Sequence, residues 1–242
     1  MRVDILTIFP GMFSGVLEYG LIRQAREKGI LDFRVHDLRD FTHDRHRSVD
    51  DVPYGGGPGM VFRPEPIFEG VNAIRESDAI VLLPTPQGEL FTNQIAEDLA
   101  RARQLIFVCG RYEGVDERVC EALVKRELSI GDFVTMGGEL PSLVMVEAIM
   151  RFVPGVVGQK ESVASDSFQQ SLLDYPHYTR PEEYSGYRVP EVLLSGHHER
   201  IRRWRRKMAL KRTLERRPEM LKNVKLSQED QALLEEIRKK DS

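Results

Sequence analysis

Ser129-Ile130-Gly131-Asp132-Phe133-Val134-Thr135-Met136-Gly137-Gly138-Glu139-Leu140-Pro141 runs from a short β-like piece through a glycine pair into the start of a helix. Glycine removes the side chain where a backbone must turn sharply or pass close to a ligand. Taken alone, the segment is a tight strand-to-helix connection. Two upstream loops change that reading. Pro84-Thr85-Pro86-Gln87-Gly88 leaves the apolar run Ala79 to Leu83, and Gly110-Arg111-Tyr112-Glu113-Gly114 leaves another, Leu105 to Cys109. Short apolar runs of this kind fit buried parallel strands. Three loops then share the carboxyl edge of one sheet, the edge where open α/β sheets bind ligands.

The flanking chain keeps the same rhythm. Arg2 to Phe9 reads as a strand ended by Pro10-Gly11, residues 12–27 as an amphipathic helix stopped by Gly29, and Ile30 to Leu38 as a second strand. This βαβ order predicts a parallel sheet. Helices are expected over 65–75, over 92–103 with Thr92 as N-cap, and over 116–125. Asp40 to Met60 interrupts the pattern with a long polar stretch ending in Pro53-Tyr54-Gly55-Gly56-Gly57-Pro58-Gly59. It is either disordered or a mobile lid hinged on its glycines. Neither nucleotide-binding glycine fingerprint is present. Pro141 to Val153 is apolar around almost its whole circumference, so that helix is buried on more than one side. The second side is either another subunit or the core of the same chain.

Beyond Pro154 the alternation stops. Residues 1–155 form the expected α/β domain, 156–170 a mixed linker, and 171–242 a small helical domain with no further strand. In that last part Ile201, Trp204 and Met208 mark one apolar face of a helix over 199–216. Ser227 with Asp230 resembles a capping box ahead of Leu233, Leu234 and Ile237. The net charge of −3 conceals a local excess. Arg200, Arg202, Arg203, Arg205, Arg206, Lys207, Lys211, Arg212, Arg216 and Arg217 stand against Glu199 and Glu215, which points to a polyanionic partner. No run of eighteen apolar residues offers a membrane span, and the N-terminus lacks a signal-peptide layout. Cys109 and Cys120 read as free thiols of a reducing, cytoplasmic setting, and no zinc-ligand spacing occurs.

The three loops resemble the cofactor loops of bacterial tRNA (guanine-N1)-methyltransferases, members of the SPOUT superfamily of trefoil-knotted methyltransferases. The resemblance continues through Asp166-Ser167-Phe168, Asp174-Tyr175-Pro176-His177-Tyr178-Thr179-Arg180-Pro181 and Ser195-Gly196-His197-His198-Glu199, and so covers essentially the full length. It implies an α/β domain with a deep knot and a helical C-terminal domain. It also implies bent S-adenosylmethionine held by Thr85, Pro86, Gly110, Glu113, Ile130, Gly131, Asp132, Phe133, Val134 and Thr135, with Gly137, Gly138 and Pro141 closing the pocket. The methyl acceptor would be N1 of guanine 37, beside the tRNA anticodon, and the reaction would depend on Mg²⁺. Gly59, Asp174, His177, Ser195 and His197 would meet the anticodon loop and stem, with Arg203 and Arg206 of the basic helix. A homodimer would share each active site between its subunits.

Two residues keep a second reading. Under the resemblance Asp166 is the general base that removes the guanine N1 proton. By local pattern it is also a helix N-cap ahead of Phe168-Gln169-Gln170. Arg151 would stabilise the negative charge developing at guanine O6, or pair with Glu147 one helical turn earlier. Rival functions are a related knotted methyltransferase with another RNA target and a non-catalytic RNA-binding module. A nucleotide-dependent oxidoreductase is disfavoured by the missing fingerprint.

Overall fold

The structure, a computed structural model, describes residues 1–158, 166–168 and 171–240. The chain divides into two compact units, Met1–Gly158 and Gln159–Ser242. The first unit carries β1 (Arg2–Thr7), α1 (Gly11–Leu17), α2 (Gly20–Glu27), β2 (Asp32–Asp37), β3 (Asp50–Asp51), β4 (Val61–Phe62), α3 (Pro64–Ile74), β5 (Ile80–Leu90), α4 (Asn93–Leu99), β6 (Gln104–Val108), α5 (Glu117–Ala122), β7 (Arg126–Ser129) and α6 (Glu139–Met150). Five strands form one sheet in the order β2-β1-β6-β5-β7, and every pairing in it is parallel.

Strand periodicity explains how helices cover both faces. In β6, Leu105 and Phe107 point into one core with Phe13, Ile22, Ile95, Leu99 and Met145, while Ile106 and Val108 point into the other with Ile67, Val71 and Val119. Successive side chains of a strand alternate between faces, so a fully buried parallel strand must be apolar at every position. Gln104 is the polar exception, and its amide reaches Asp4 Oδ2 at 2.6 Å and the Ile74 carbonyl at 3.0 Å. Thr92 caps α4, its hydroxyl accepting from the Ile95 N–H at 3.4 Å.

Several elements differ from the sequence reading. The expected helix over 12–27 is two helices, because Gly20 sits at φ 62, outside helical geometry. The long stretch over 40–60 carries structure: β3 pairs antiparallel with β4. The 84–88 loop lies inside β5, since β5 meets β7 at Pro84↔Leu128 and again at Glu89↔Leu128, with the residues between looping out. Gly88 makes this possible, because a Cβ there would collide with the Glu127–Leu128 backbone.

The α6 helix buries Leu143, Met145, Val146, Ile149 and Met150 within its own unit. Leu140 and Val144, one turn apart, stay 57% and 53% exposed. Phe9, Met12 and Val16 are exposed too, on and beside α1, a helix that packs against α6. No helix among the described residues is long and apolar enough to cross a membrane.

The second unit is built on α7 (Glu191–Leu194), α8 (His198–Arg216) and α9 (Gln228–Lys240). It also contains an unexpected hairpin, β8 (Glu183–Tyr184) with β9 (Tyr187–Arg188), turning through Ser185 at φ 53 and Gly186 at φ 82. Its core is Leu172, Ala209, Leu210, Leu233, Leu234 and Ile237. The face of α8 that is fully buried is therefore Ala209, Leu210 and Thr213, with Ile201, Trp204 and Met208 only partly covered. Ser227 and Asp230 exchange N–H to oxygen bonds at 3.0 and 3.1 Å, a capping box as expected.

Candidate active site

The three loops converge at the carboxyl edge of the sheet around a cavity of about 320 Å³. Thr85, Pro86, Gly110, Glu113, Val134, Thr135, Gly137 and Gly138 all line it. Ile130, Phe133 and Pro141 line a smaller recess together with Thr85, Pro86 and Thr135. Gly131 and Asp132 line neither. Gly131, at φ 143, supports the turn from which Phe133 projects.

Main-chain contacts bind these loops together. The Gly138 N–H donates to the Gly110 carbonyl at 2.9 Å, and Arg111 bridges Gly137. A Cβ on Gly138 would stand 2.9 Å from Cys109 Cα, so only glycine permits this approach. The glycine-rich stretch also reaches the site. The Glu113 N–H donates to the Met60 carbonyl at 3.1 Å, and a Cβ on Gly59 would strike the Glu113 side chain. With φ at 87, Gly59 occupies a conformation that other residues rarely adopt.

The thiols at this edge are inert. Burial pushes the Cys109 thiol well above its ordinary range. Burial, followed by the charges of Glu127 and Glu117, raises Cys120 to about 11. Both are protonated at neutral pH and neither is a nucleophile there.

Arg151 follows α6 as its exposed C-cap residue. In the second unit, Asp166 is partly buried and lines a cavity of about 480 Å³ with Asp174, His198, Arg202 and Arg206. Phe168, two residues later, has φ 75, which is not helical, so the N-cap reading of Asp166 finds no helix there. The Gln169-Gln170 part of that reading lies outside the described residues. Asp174 Oδ2 and His177 Nε2 are 2.7 Å apart, and Arg205 stacks over Tyr175 at 5.0 Å. Ser195 Oγ accepts from the His197 N–H at 3.2 Å, and His197 Nδ1 caps α8.

The basic helix is less naked than its own sequence suggests, because α9 supplies acids. Arg203 and Lys207 both reach Glu236, Arg202 reaches Glu229 and Arg206 reaches Asp230. Sequence reasoning also missed Thr7 and Glu139. The only signal was an acidic residue at the mouth of a helix that is otherwise apolar.

A hollow at the carboxyl edge of a parallel α/β sheet, the edge where open sheets bind ligands, defines the class: an α/β protein with a candidate small-molecule site on its loops. The family described as tRNA (Guanine-1)-methyltransferase TrmD matches residues 1–223, and the chain belongs to that family. Among similar proteins is a tRNA (guanine-N(1)-)-methyltransferase of Dictyoglomus turgidum, 53% identical over 239 residues, covering 99% of this chain and 97% of its own. Those of Moorella thermoacetica and Geobacter metallireducens are 53% and 52% identical, each covering at least 98% of both chains.

Proposed function

We propose that the chain transfers a methyl group from S-adenosylmethionine to N1 of guanine 37 in tRNA. The observation that carries this reading is a cavity lined by all three loops, in a chain of the tRNA (guanine-1)-methyltransferase family. The fit is physical. Gly137 and Gly138 let the loops that line the cavity pack more closely than any side chain would allow, and the cavity has the size of a small-molecule site. The loops are read as the threads of a trefoil knot, the first unit as donor-binding and the second as tRNA-binding.

When bound, the donor supplies a methyl carbon whose bond to sulfur breaks, the electron pair leaving with sulfur as S-adenosylhomocysteine. The residues of the chain prepare the acceptor. Guanine N1 carries a proton at neutral pH. Asp166 accepts it, freeing the lone pair that forms the new N1–CH₃ bond, a contribution of roughly 10²–10⁴-fold for general base catalysis. Arg151 offers its guanidinium to O6, where charge accumulates as N1 is deprotonated. Reaching N1 requires the base to leave its stack, which costs least in an exposed loop. Gly59, Asp174, His177, Ser195, His197, Arg203 and Arg206 form the proposed tRNA surface.

The exposed Leu140 and Val144, with Met12 and Val16, support a homodimer; the family resemblance adds that each donor site is served by Asp166 of the partner subunit. The resemblance also implied Mg²⁺. Among the described residues no three His, Cys, Asp or Glu side chains gather in a way that could hold a metal ion, so no residue is assigned to it and no step runs through it.

The test is methylation of unmodified tRNA transcripts, with the product mapped by nuclease digestion and mass spectrometry. N1-methylguanosine at position 37 is expected. Methyl transfer elsewhere, or none with bound donor, would refute the reading.

A further inference from the structure

Glu139 is 1% exposed, a carboxylate taken almost wholly out of water. Its Oε1 accepts from the Thr7 hydroxyl at 2.8 Å, and both its oxygens lie 3.2 Å from Arg111 Nε. Thr7 Oγ1 in turn accepts from the Phe9 N–H at 2.9 Å. The Arg111 guanidinium lies 4.3 Å over the Phe9 ring, and one terminal nitrogen contacts Met12 Sδ at 3.6 Å. Glu139 also stands in the first turn of α6, where the helix dipole favours a negative charge.

The placement of this network carries the argument. Thr7 ends β1, Arg111 belongs to the loop after β6, and Glu139 opens the helix that follows the loop after β7. Arg111 also lines the donor cavity. A Cβ on Gly137 would stand 2.5 Å from Glu139 Oε2 and 2.7 Å from the Arg111 side chain, so this glycine gives the ion pair its room. Replacing both members of a buried ion pair with apolar residues is often neutral for stability, whereas removing one strands a buried charge. Stability alone therefore does not account for keeping the pair. Its distinctive effect is geometric: it holds two cofactor loops in one register against the end of β1.

We propose that Arg111 and Glu139 are positioning residues whose ion pair pre-forms the donor-binding backbone of Gly110–Gly114 and Gly137–Gly138. A site formed before binding spares the ligand the cost of ordering it. This inference rests on the cofactor reading of the cavity given above.

The test compares wild type with the double variant Arg111→Met/Glu139→Met, which leaves no stranded charge. Calorimetric titration with S-adenosylmethionine, thermal unfolding and steady-state methyl transfer are measured on each. The expected result is donor affinity weakened about tenfold or more, by lost pre-organisation, while the fold is retained. The loss should fall on KM for the donor rather than on kcat. Wild-type affinity in the folded double variant would overturn the inference, as would a kcat loss at unchanged affinity. If the double variant does not fold, Thr7→Val, which removes one donor to Glu139 at nearly constant volume, decides in the same way: weaker donor binding supports the role and unchanged binding overturns it. Wild type that fails to bind S-adenosylmethionine would instead refute the cofactor reading itself.

Discussion

Arg206 holds Asp230 through two hydrogen bonds, Nε to Oδ1 at 2.6 Å and a terminal guanidinium nitrogen to Oδ2 at 2.9 Å. Asp230 is buried and also answers Ser227 in the capping box of α9, so one carboxylate joins the basic helix to its neighbour. Arg206→Gln strands that carboxylate. It should destabilise the protein by about 3 kcal/mol, the scale for breaking a buried ion pair. Denaturant unfolding followed by circular dichroism measures this, and a change below about 0.5 kcal/mol, the level of an ordinary surface substitution, would contradict it.

Acid should release the same contact. Hydrogen bonding from Arg206 holds the Asp230 carboxyl at about 2, below the ordinary 3.8. A depressed carboxylate stabilises the fold above its unfolded-state value and loses that contribution as pH falls through its folded value. The pair's contribution is therefore intact above about pH 4 and gone below about pH 2. Stability curves of wild type and Asp230→Asn should converge across that window. Curves that remain parallel through it would show that Asp230 does not titrate with folding.

Arg203 differs from Arg206 in kind. Its pair with Glu236 leaves the Arg203 side chain 50% exposed. Arg203→Gln should cost less than about 1 kcal/mol of stability, as exposed ion pairs do. If the cation meets a tRNA phosphate, the slope of log affinity against log salt should fall by about one. An unchanged slope would remove Arg203 from the tRNA surface.

Gly138 and Gly55 make a matched pair of alanine substitutions. At Gly138 a Cβ meets the Cys109 backbone at 2.9 Å, whereas at Gly55 nothing lies within 4 Å, although φ there is 86. Gly138→Ala should force the loops apart and weaken S-adenosylmethionine binding, because a backbone cannot rotate away as a flexible side chain can. Gly55→Ala should cost only the left-handed strain of about 1–2 kcal/mol. Equal donor affinity in the two variants would contradict the cavity assignment.

Leu140→Glu tests the proposed subunit face. It places a charge on the exposed stripe of α6 without touching the residues buried beneath it. Sedimentation should show dimer replaced by monomer while the circular dichroism spectrum is kept. A variant that sediments as a dimer would move the subunit interface elsewhere.

What could be read from the sequence was local. Leu105 to Cys109 announced a buried strand because every residue had to be apolar, and Thr92 and Ser227 with Asp230 announced helix starts through their own hydrogen-bonding chemistry. The three-loop edge followed from those strands. What could not be read was contact at a distance. β5 continues past Pro84 because Glu89 and Leu90 find β7 again, and the β8–β9 hairpin has only two residues on each side, too few for a period. The acids balancing Arg203 and Arg206, and one of the two that meet Arg202, lie on the next helix, and Thr7 meets Glu139 across 132 residues. The roles proposed for Asp166 and Arg151 come from family resemblance, since no local pattern marks either as chemical.

In the proposed reaction Asp166 removes the guanine N1 proton. Single-turnover methyl transfer to a tRNA transcript, with donor and enzyme saturating, isolates that step. Asp166→Ala should slow it by roughly 10²–10⁴-fold, with S-adenosylmethionine affinity preserved and part of the rate recovered as pH rises and N1 ionises in solution. Near-wild-type rates for Asp166→Ala would contradict the account.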